Sequence, residues 1–363
     1  YCKIITNVMP FEKNHRVKLM RGFGMAITTK DNQIILKNGK HFYEKQHEIE
    51  SYFPTKFPYE RLVISGKGII STDAIKSLSK NNVNVILTDS FGSVVSSFNS
   101  PMVSGIGSRN RMNQYDTFRD ESKTTYLQRQ LLHSKFKSQI NFLSSLDEDC
   151  RKVIAQLKSL QRLIPNYSSR KLVQLEAQGS REYFKLYSSF FSEKYHFNTR
   201  HSISTTKQNA SDVINALLNY GYSVLASEIT KQIVGIGLDP YYSFYHKNHE
   251  SFQSLTYDII EPFRWVVEKT VYRLGNAQNK KLQIKKNQYV KHDKSGMVLL
   301  DTFLVKKFLE MLEVDFRKTR EYNRRNGMKK ENGLSNCAEI TIAKIVIQNL
   351  SDLCNGKIGN FTI

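Results

Sequence analysis

Two periodicities divide the chain. Up to about residue 100 the apolar positions fall in short β-branched runs broken by Gly, Asn and Asp, and beyond about residue 125 they recur every three or four residues. In the first region, residues 33–43 read as a β-hairpin turned at Asn38-Gly39, a pair that supplies the positive φ angles of a type I′ turn. Residues 61–66 are a β-branched run ended by Gly66. Ser71 or Thr72 then caps a short helix over residues 73–80, with Asp73 in its first turn. Residues 84–89 and 93–98 are two further strands with Gly92 between them. Residues 1–104 are therefore expected to form a β-rich domain with one short helix.

Residues 105–115, with Gly105, Gly107 and Ser108 beside Arg109 and Arg111, read as a linker. Leu127, Leu131, Leu132, Phe136, Ile140 and Leu143 then mark one face of an amphipathic helix. The same spacing returns over residues 212–233, 260–274, 299–316 and 339–353, so residues 116–363 are expected to form one all-α domain. The fold class is α+β. No repeat of about 20–50 residues is present, which argues against a solenoid.

Composition changes the picture in one direction. Lys and Arg number 54 against 33 acids, a formal charge of +21, which points to a polyanionic partner, nucleic acid before an acidic membrane surface. No apolar run approaches the roughly 18 residues of a membrane span, and the first residues lack the apolar core of a signal peptide. Cys2, Cys150, Cys337 and Cys354 lie far apart, without zinc-site spacing, as expected of reduced thiols in a cytoplasmic protein.

Three places in the helical region concentrate polar residues. Glu176 follows Leu172, Val173 and Leu175; it reads either as a solvated helix acid or as an inward carboxylate. His246 ends an aromatic run from Tyr241, where a structural histidine is the ordinary outcome. Asp258 and Glu261 are three apart, so a helix sets both on one face, either as a surface pair or as buried acids among Ile259, Ile260 and Phe263. A buried carboxylate needs a metal, an Arg partner or a proton. His246 and Glu261 are fifteen residues apart, about 22 Å along a straight helix, so they meet only if the polar segment between them folds back. Pro262 makes the helix kink or start at that point. His249 is a rival ligand on the same segment.

The runs Asn215-Ala216-Leu217-Leu218-Asn219-Tyr220-Gly221-Tyr222, Gly237-Leu238-Asp239-Pro240, Phe244-Tyr245-His246 and Asp258-Ile259-Ile260-Glu261-Pro262-Phe263-Arg264, in this order, resemble the CRISPR adaptation integrase family, whose motifs are shared by casposases. Residues 60–66 and 85–89 resemble strands of that family's β-domain. The resemblance implies an N-terminal β-domain that joins a homodimer, a C-terminal catalytic α-domain and a small ferredoxin-fold protein partner. It places the metal ligands, and so the catalytic residues, at Glu176, His246 and Glu261. Trp265 and Glu268 depart from the family's common Pro and Asp.

Two carboxylates and an imidazole suit Mg²⁺ or Mn²⁺. The chemistry expected is metal-assisted transesterification of DNA, a donor 3′-hydroxyl attacking a target phosphodiester, with water as nucleophile in hydrolysis. The alternatives are a casposase, which commonly carries an added C-terminal helix-turn-helix domain that the residues after Lys357 are too few to hold, and a non-catalytic DNA-binding scaffold. Arg181, Arg200 and Arg264 near the ligand motifs, with Lys280, Lys281, Lys285, Lys286, Arg324 and Arg325 in two basic blocks, are the expected phosphate contacts. Tyr289, Phe316 and Tyr322 interleave with those blocks as candidates for base stacking.

Overall fold

The β-branched runs of the first region build two four-stranded sheets. The structure, a computed structural model, describes residues 17–40, 48–59, 61–81, 83–88, 94–98, 104–200, 210–246, 253–279, 282–291, 297–323 and 334–363. The chain divides into two compact units, Tyr1–Gly107 and Ser108–Ile363.

In the first unit the elements are β1 (Val17–Met20), β2 (Phe23–Lys30), β3 (Gln33–Lys37), β4 (Ile49–Tyr52), β5 (Arg61–Ile64), β6 (Lys67–Ile70), α1 (Thr72–Lys80), β7 (Asn84–Thr88) and β8 (Val94–Phe98). One sheet has the order β1-β5-β7-β8 and the other β4-β3-β2-β6. Strands β1, β5 and β7 run parallel, and Leu62, Val63 and Ile64 of β5 are all buried, as expected where a parallel strand is covered on both faces. Strands β2 and β3 instead alternate, burying Met25, Ile27, Ile34 and Leu36 on one face. Ser71 caps α1 by accepting from the Ala74 N–H, and α1 lays Ala74 and Leu78 on this core.

The hairpin turn lies elsewhere than its Asn-Gly signal. Lys30 pairs with Gln33, and the two residues between them, Asp31 and Asn32, carry φ angles of 49° and 59°. This is the two-residue turn that short polar side chains tolerate. Gly39 is needed for space, because a Cβ there would lie 2.3 Å from the Arg21 carbonyl oxygen.

Helix α2 (Ser104–Arg119) crosses the boundary, and the second unit continues with α3 (Glu121–Ser144), α4 (Arg151–Leu163), α5 (Ser169–Ser189), α6 (Val213–Ile236), α7 (Ser254–Ile260), α8 (Arg264–Gly275), β9 (Tyr289–Lys291), β10 (Val298–Leu300), α9 (Thr302–Arg317), β11 (Thr319–Asn323), β12 (Leu334–Ala338) and α10 (Glu339–Cys354). Two corrections follow. The unit is not all helical, since β9–β10 and β11–β12 form two antiparallel ribbons. Residues 105–115, expected as a linker, are helical: they lie inside α2, and the boundary between the two units, Gly107–Ser108, falls among them. Small polar side chains there are held by distant partners: Asn110 donates to the Ile236 carbonyl at 2.9 Å, and buried Gln114 donates to the Asp239 and Tyr242 carbonyls at 2.9 and 2.8 Å.

Helix α6 is apolar almost all round and is buried accordingly. Asp212 caps its start, accepting from the Asn215 N–H at 2.8 Å. Gly237, with φ of 87°, ends it in the left-handed conformation and donates to the Ile233 carbonyl at 3.1 Å. Helices α3 and α5 approach closely because Gly179 has no side chain: a Cβ there would lie 2.5 Å from the Phe136 ring. Gly179→Ala is expected to lower stability by about 1–3 kcal/mol through overpacking, read as a lower denaturation midpoint in urea. An unchanged midpoint would refute the close-packing argument.

Candidate active site

Helix α7 does not continue from α6 but folds back on the loop that follows it. Ser254 Oγ donates to the Tyr241 carbonyl at 2.6 Å and the Leu255 N–H to the Pro240 carbonyl at 2.9 Å. This return brings Asp258 beneath residues 244–246. Its carboxylate is fully buried and accepts the N–H groups of Phe244, Tyr245 and His246 at 3.1, 3.0 and 3.0 Å, and it lies 2.6 Å from His246 Nδ1. A proton on Nδ1 serves Asp258 and leaves the Nε2 lone pair as the ring's remaining donor, the arrangement in which a second carboxylate orients a metal-binding histidine. Burial pushes the Asp258 carboxyl up. Burial alone would lower His246, but the hydrogen bond and charge of Asp258 outweigh it and its pKa is raised. His249 lies outside the described residues.

Helix α7 ends at Ile260, and Pro262 starts a single 3₁₀ turn over Glu261–Phe263. The turn presents the Glu261 carboxylate, 5% exposed, to two cations: Arg264 Nη2 at 2.8 Å and Lys135 Nζ at 2.7 Å. The Lys135 ammonium is also 2.5 Å from Glu176 Oε1, so it bridges the two acids, and Tyr245 donates to Glu176 Oε2 at 2.9 Å. Burial would raise Glu261, but Arg264 and Lys135 hold its carboxyl down at about 2. Burial would likewise depress Lys135, yet the charges of Glu261 and Glu176 raise it.

One wall is set from below. Buried Glu268 accepts from the hydroxyls of Tyr183 and Tyr222 at 2.5 and 2.8 Å, and the Tyr187 hydroxyl donates to its carbonyl at 2.7 Å. Tyr222 thus fixed lies beneath the guanidinium groups of Arg200 and Arg264, at 5.2 and 4.6 Å from its ring centre. Arg200 is further held by Asn215 and Asn219 at 2.8 and 2.7 Å, which gives that sequence motif a physical purpose.

One cleft of about 1170 Å³ is lined by Glu176, His246, Glu261, Arg181, Arg200 and Arg264 together. Trp265 and Glu268, the two departures from the family pattern, line it as well. Lys285 and Lys286 lie on an exposed turn that does not line it, and Lys280, Lys281, Arg324 and Arg325 fall outside the described residues. Phe316 is buried, not exposed for stacking. Sequence reasoning assigned no role to Lys135, nor individually to Tyr222 or Tyr245, whereas Asp258, read as either a surface or a buried acid, is the buried one. Lys135 had a signal: it falls four residues after Leu131 and beside Phe136, a charge inside an apolar stripe.

Among the described residues no three His, Cys, Asp or Glu side chains already converge at metal-binding distance. The donor set nevertheless fits a hard divalent cation. Two carboxylates face one cleft, a cation already bridges them, and the third donor is an imidazole whose other nitrogen is satisfied.

A family profile described as "CRISPR associated protein Cas1" matches residues 25–314. The CRISPR-associated endonuclease Cas1 1 of Archaeoglobus fulgidus is 29% identical over 273 residues, covering 70% of this chain and 76% of that protein. Two solved structures share the fold. A casposase bound to integration product superposes with a TM-score of 0.74 at 22% identity, covering 96% of this chain and 97% of the other. A partial Cas6-RT-Cas1–Cas2 complex gives 0.76 at 19% identity, covering 94% and 96%. Together with the motif order, the profile match over most of the chain makes this protein a member of the Cas1 family of CRISPR-associated proteins.

Proposed function

We propose that the chain is a metal-dependent DNA endonuclease and integrase that joins donor 3′-hydroxyl ends to target DNA, as in CRISPR spacer acquisition. The observation that carries this reading is the meeting of Glu176, His246 and Glu261 with three arginines in one cleft. Glu176, His246 and Glu261 would hold Mg²⁺ or Mn²⁺. The ion supplies Lewis-acid stabilisation of charge on the reacting phosphodiester. Arg181 and Arg200 take backbone phosphates along the cleft, and Arg264, fixed between Glu261 and Tyr222, keeps that carboxylate aimed. The same residues admit water as the nucleophile, which gives cleavage.

The Archaeoglobus relative supports the endonuclease reading, and the sequence relatives favour a CRISPR integrase over a casposase, whose likeness is one of fold. The Cas1–Cas2 assembly among the fold neighbours supports a protein partner, which the family resemblance implies to be small and ferredoxin-folded. A homodimer through the first unit is supported by its exposed Phe23, Ile49, Phe53 and Ile69. No helix among the described residues is long and apolar enough to cross a membrane, in keeping with work on DNA in the cytoplasm.

The test is a joining assay with a labelled duplex carrying a free 3′-hydroxyl, a target duplex and Mn²⁺. Joined product is expected to form, to vanish with EDTA and to be absent from a donor blocked at its 3′ end. Joining that survives EDTA would remove the metal from the mechanism. Specific DNA binding without any joining or cleavage in Mn²⁺ would support the scaffold reading instead.

A further inference from the structure

The Lys135 ammonium occupies the place that an ion shared by Glu176 and Glu261 would need. It lies 2.5 Å from Glu176 Oε1 and 2.7 Å from Glu261 Oε2, on a side chain only 8% exposed. We propose that Lys135 is a resident counter-ion for the metal-ligand carboxylates, holding them together while the site lacks a metal and giving way when a divalent cation binds. The inference rests on the reading of Glu176 and Glu261 as metal ligands.

The argument begins with charge. Two carboxylates brought together in one cleft repel each other, and a cation placed between them offsets that repulsion. Two cations serve Glu261, and they are not equivalent. Arg264 binds Oε1 and its guanidinium lies over Tyr222, which Glu268 fixes in turn. Lys135 alone touches both acids, and it does so through an ammonium on a flexible four-carbon stem. A divalent ion bound by both carboxylates competes for the oxygens that Lys135 now holds, and it brings two positive charges where the ammonium brings one. Arg264 remains in place because it uses the other oxygen of Glu261. The position of Lys135 is itself fixed, since α3 and α5 meet at Phe136 and Gly179, one residue from Lys135 and three from Glu176.

This assigns Lys135 a positioning role with a measurable cost: metal affinity is lowered by the work of displacing it. Mn²⁺ binding to the full chain without DNA, followed by electron paramagnetic resonance or calorimetry, tests this in the wild type, Lys135→Met, Lys135→Arg and Glu261→Gln. Lys135→Met is expected to bind Mn²⁺ at least about tenfold more tightly, to melt at a lower temperature in EDTA and to gain more from Mn²⁺ than the wild type does. Lys135→Arg keeps a cation and is not expected to tighten binding. Unchanged or weaker Mn²⁺ binding by a folded Lys135→Met protein overturns the proposal.

A second readout needs no variant. Amine labelling of the wild type, followed by mass spectrometry, is expected to reach Lys135 several times faster in Mg²⁺ than in EDTA, with exposed Lys286 unchanged as the reference. Equal Lys135 labelling in both overturns the proposal even where Lys135→Met fails to fold. Failure of the underlying reading has a different signature: a wild type that binds no Mn²⁺, or binds it equally well after Glu261→Gln, removes the metal site and the counter-ion together.

Discussion

Glu261→Gln is expected to lower DNA joining by about a thousandfold or more while the protein still binds DNA. The amide keeps the shape of the side chain and removes its charge. Arg264 and Lys135 hold the Glu261 carboxyl ionised, with its pKa pulled down to about 2. Its loss therefore deletes a metal donor and leaves Lys135 and Arg264 short of a counter-charge. The second effect is limited, because Lys135 keeps Glu176 and Arg264 keeps its place over Tyr222. DNA occupancy has an internal reporter. Trp265 is the only tryptophan in the chain and it lines the cleft, so its fluorescence is expected to change on DNA addition equally in wild type and variant. A Glu261→Gln protein that joins DNA at a tenth of the wild-type rate or better, with the same Trp265 response, would disprove the ligand assignment.

The legible parts of this chain are those whose causes are local. The strands beginning at Arg61 and Asn84 are β-branched runs, α1 starts at a serine that caps it, and α6 runs from a capping Asp212 to Gly237. The misread parts depend on distant atoms. Asn38-Gly39 has turn chemistry, yet Gly39 answers to the backbone of Arg21 and Gly22, and the turn belongs to Asp31 and Asn32. Residues 105–115 have linker composition, yet Asn110 and Gln114 find carbonyls more than a hundred residues away, and that tertiary bonding overrides weak local propensity. In the site, spacing alone left Glu176, His246 and Glu261 open between surface and functional roles, and the order of four family motifs chose between them. Of the side chains that make the cleft work, Lys135 belongs to no motif, and Tyr222 sits in one that does not tell what its ring does. Their roles arise only when α3, α5 and α6 are packed together.

Asp258→Asn is expected to reduce joining by about 10- to 100-fold and to weaken Mn²⁺ binding by a similar factor, although Asp258 is not itself proposed as a ligand. The carboxylate receives three backbone N–H groups and faces His246 Nδ1, so every partner it has is a donor. An asparagine offers one acceptor oxygen and one amide nitrogen that is itself a donor. If the oxygen faces Phe244 and Tyr245, the amide nitrogen meets the His246 N–H groups; if it is flipped, the loop N–H groups lose their acceptor. Either way buried donors go unmet, at about 1–3 kcal/mol each, and the imidazole loses the partner that fixes its tautomer. Nitrogen NMR of the histidine ring separates this positioning role from a mere loss of stability. The wild type is expected to show one tautomer protonated at Nδ1, and the variant a mixture. A double variant gives the second check: adding Asp258→Asn to His246→Ala is expected to cost little further activity, because Asp258 acts through the ring already removed. A further large loss in the double variant would mean that Asp258 reaches the chemistry by another route than His246.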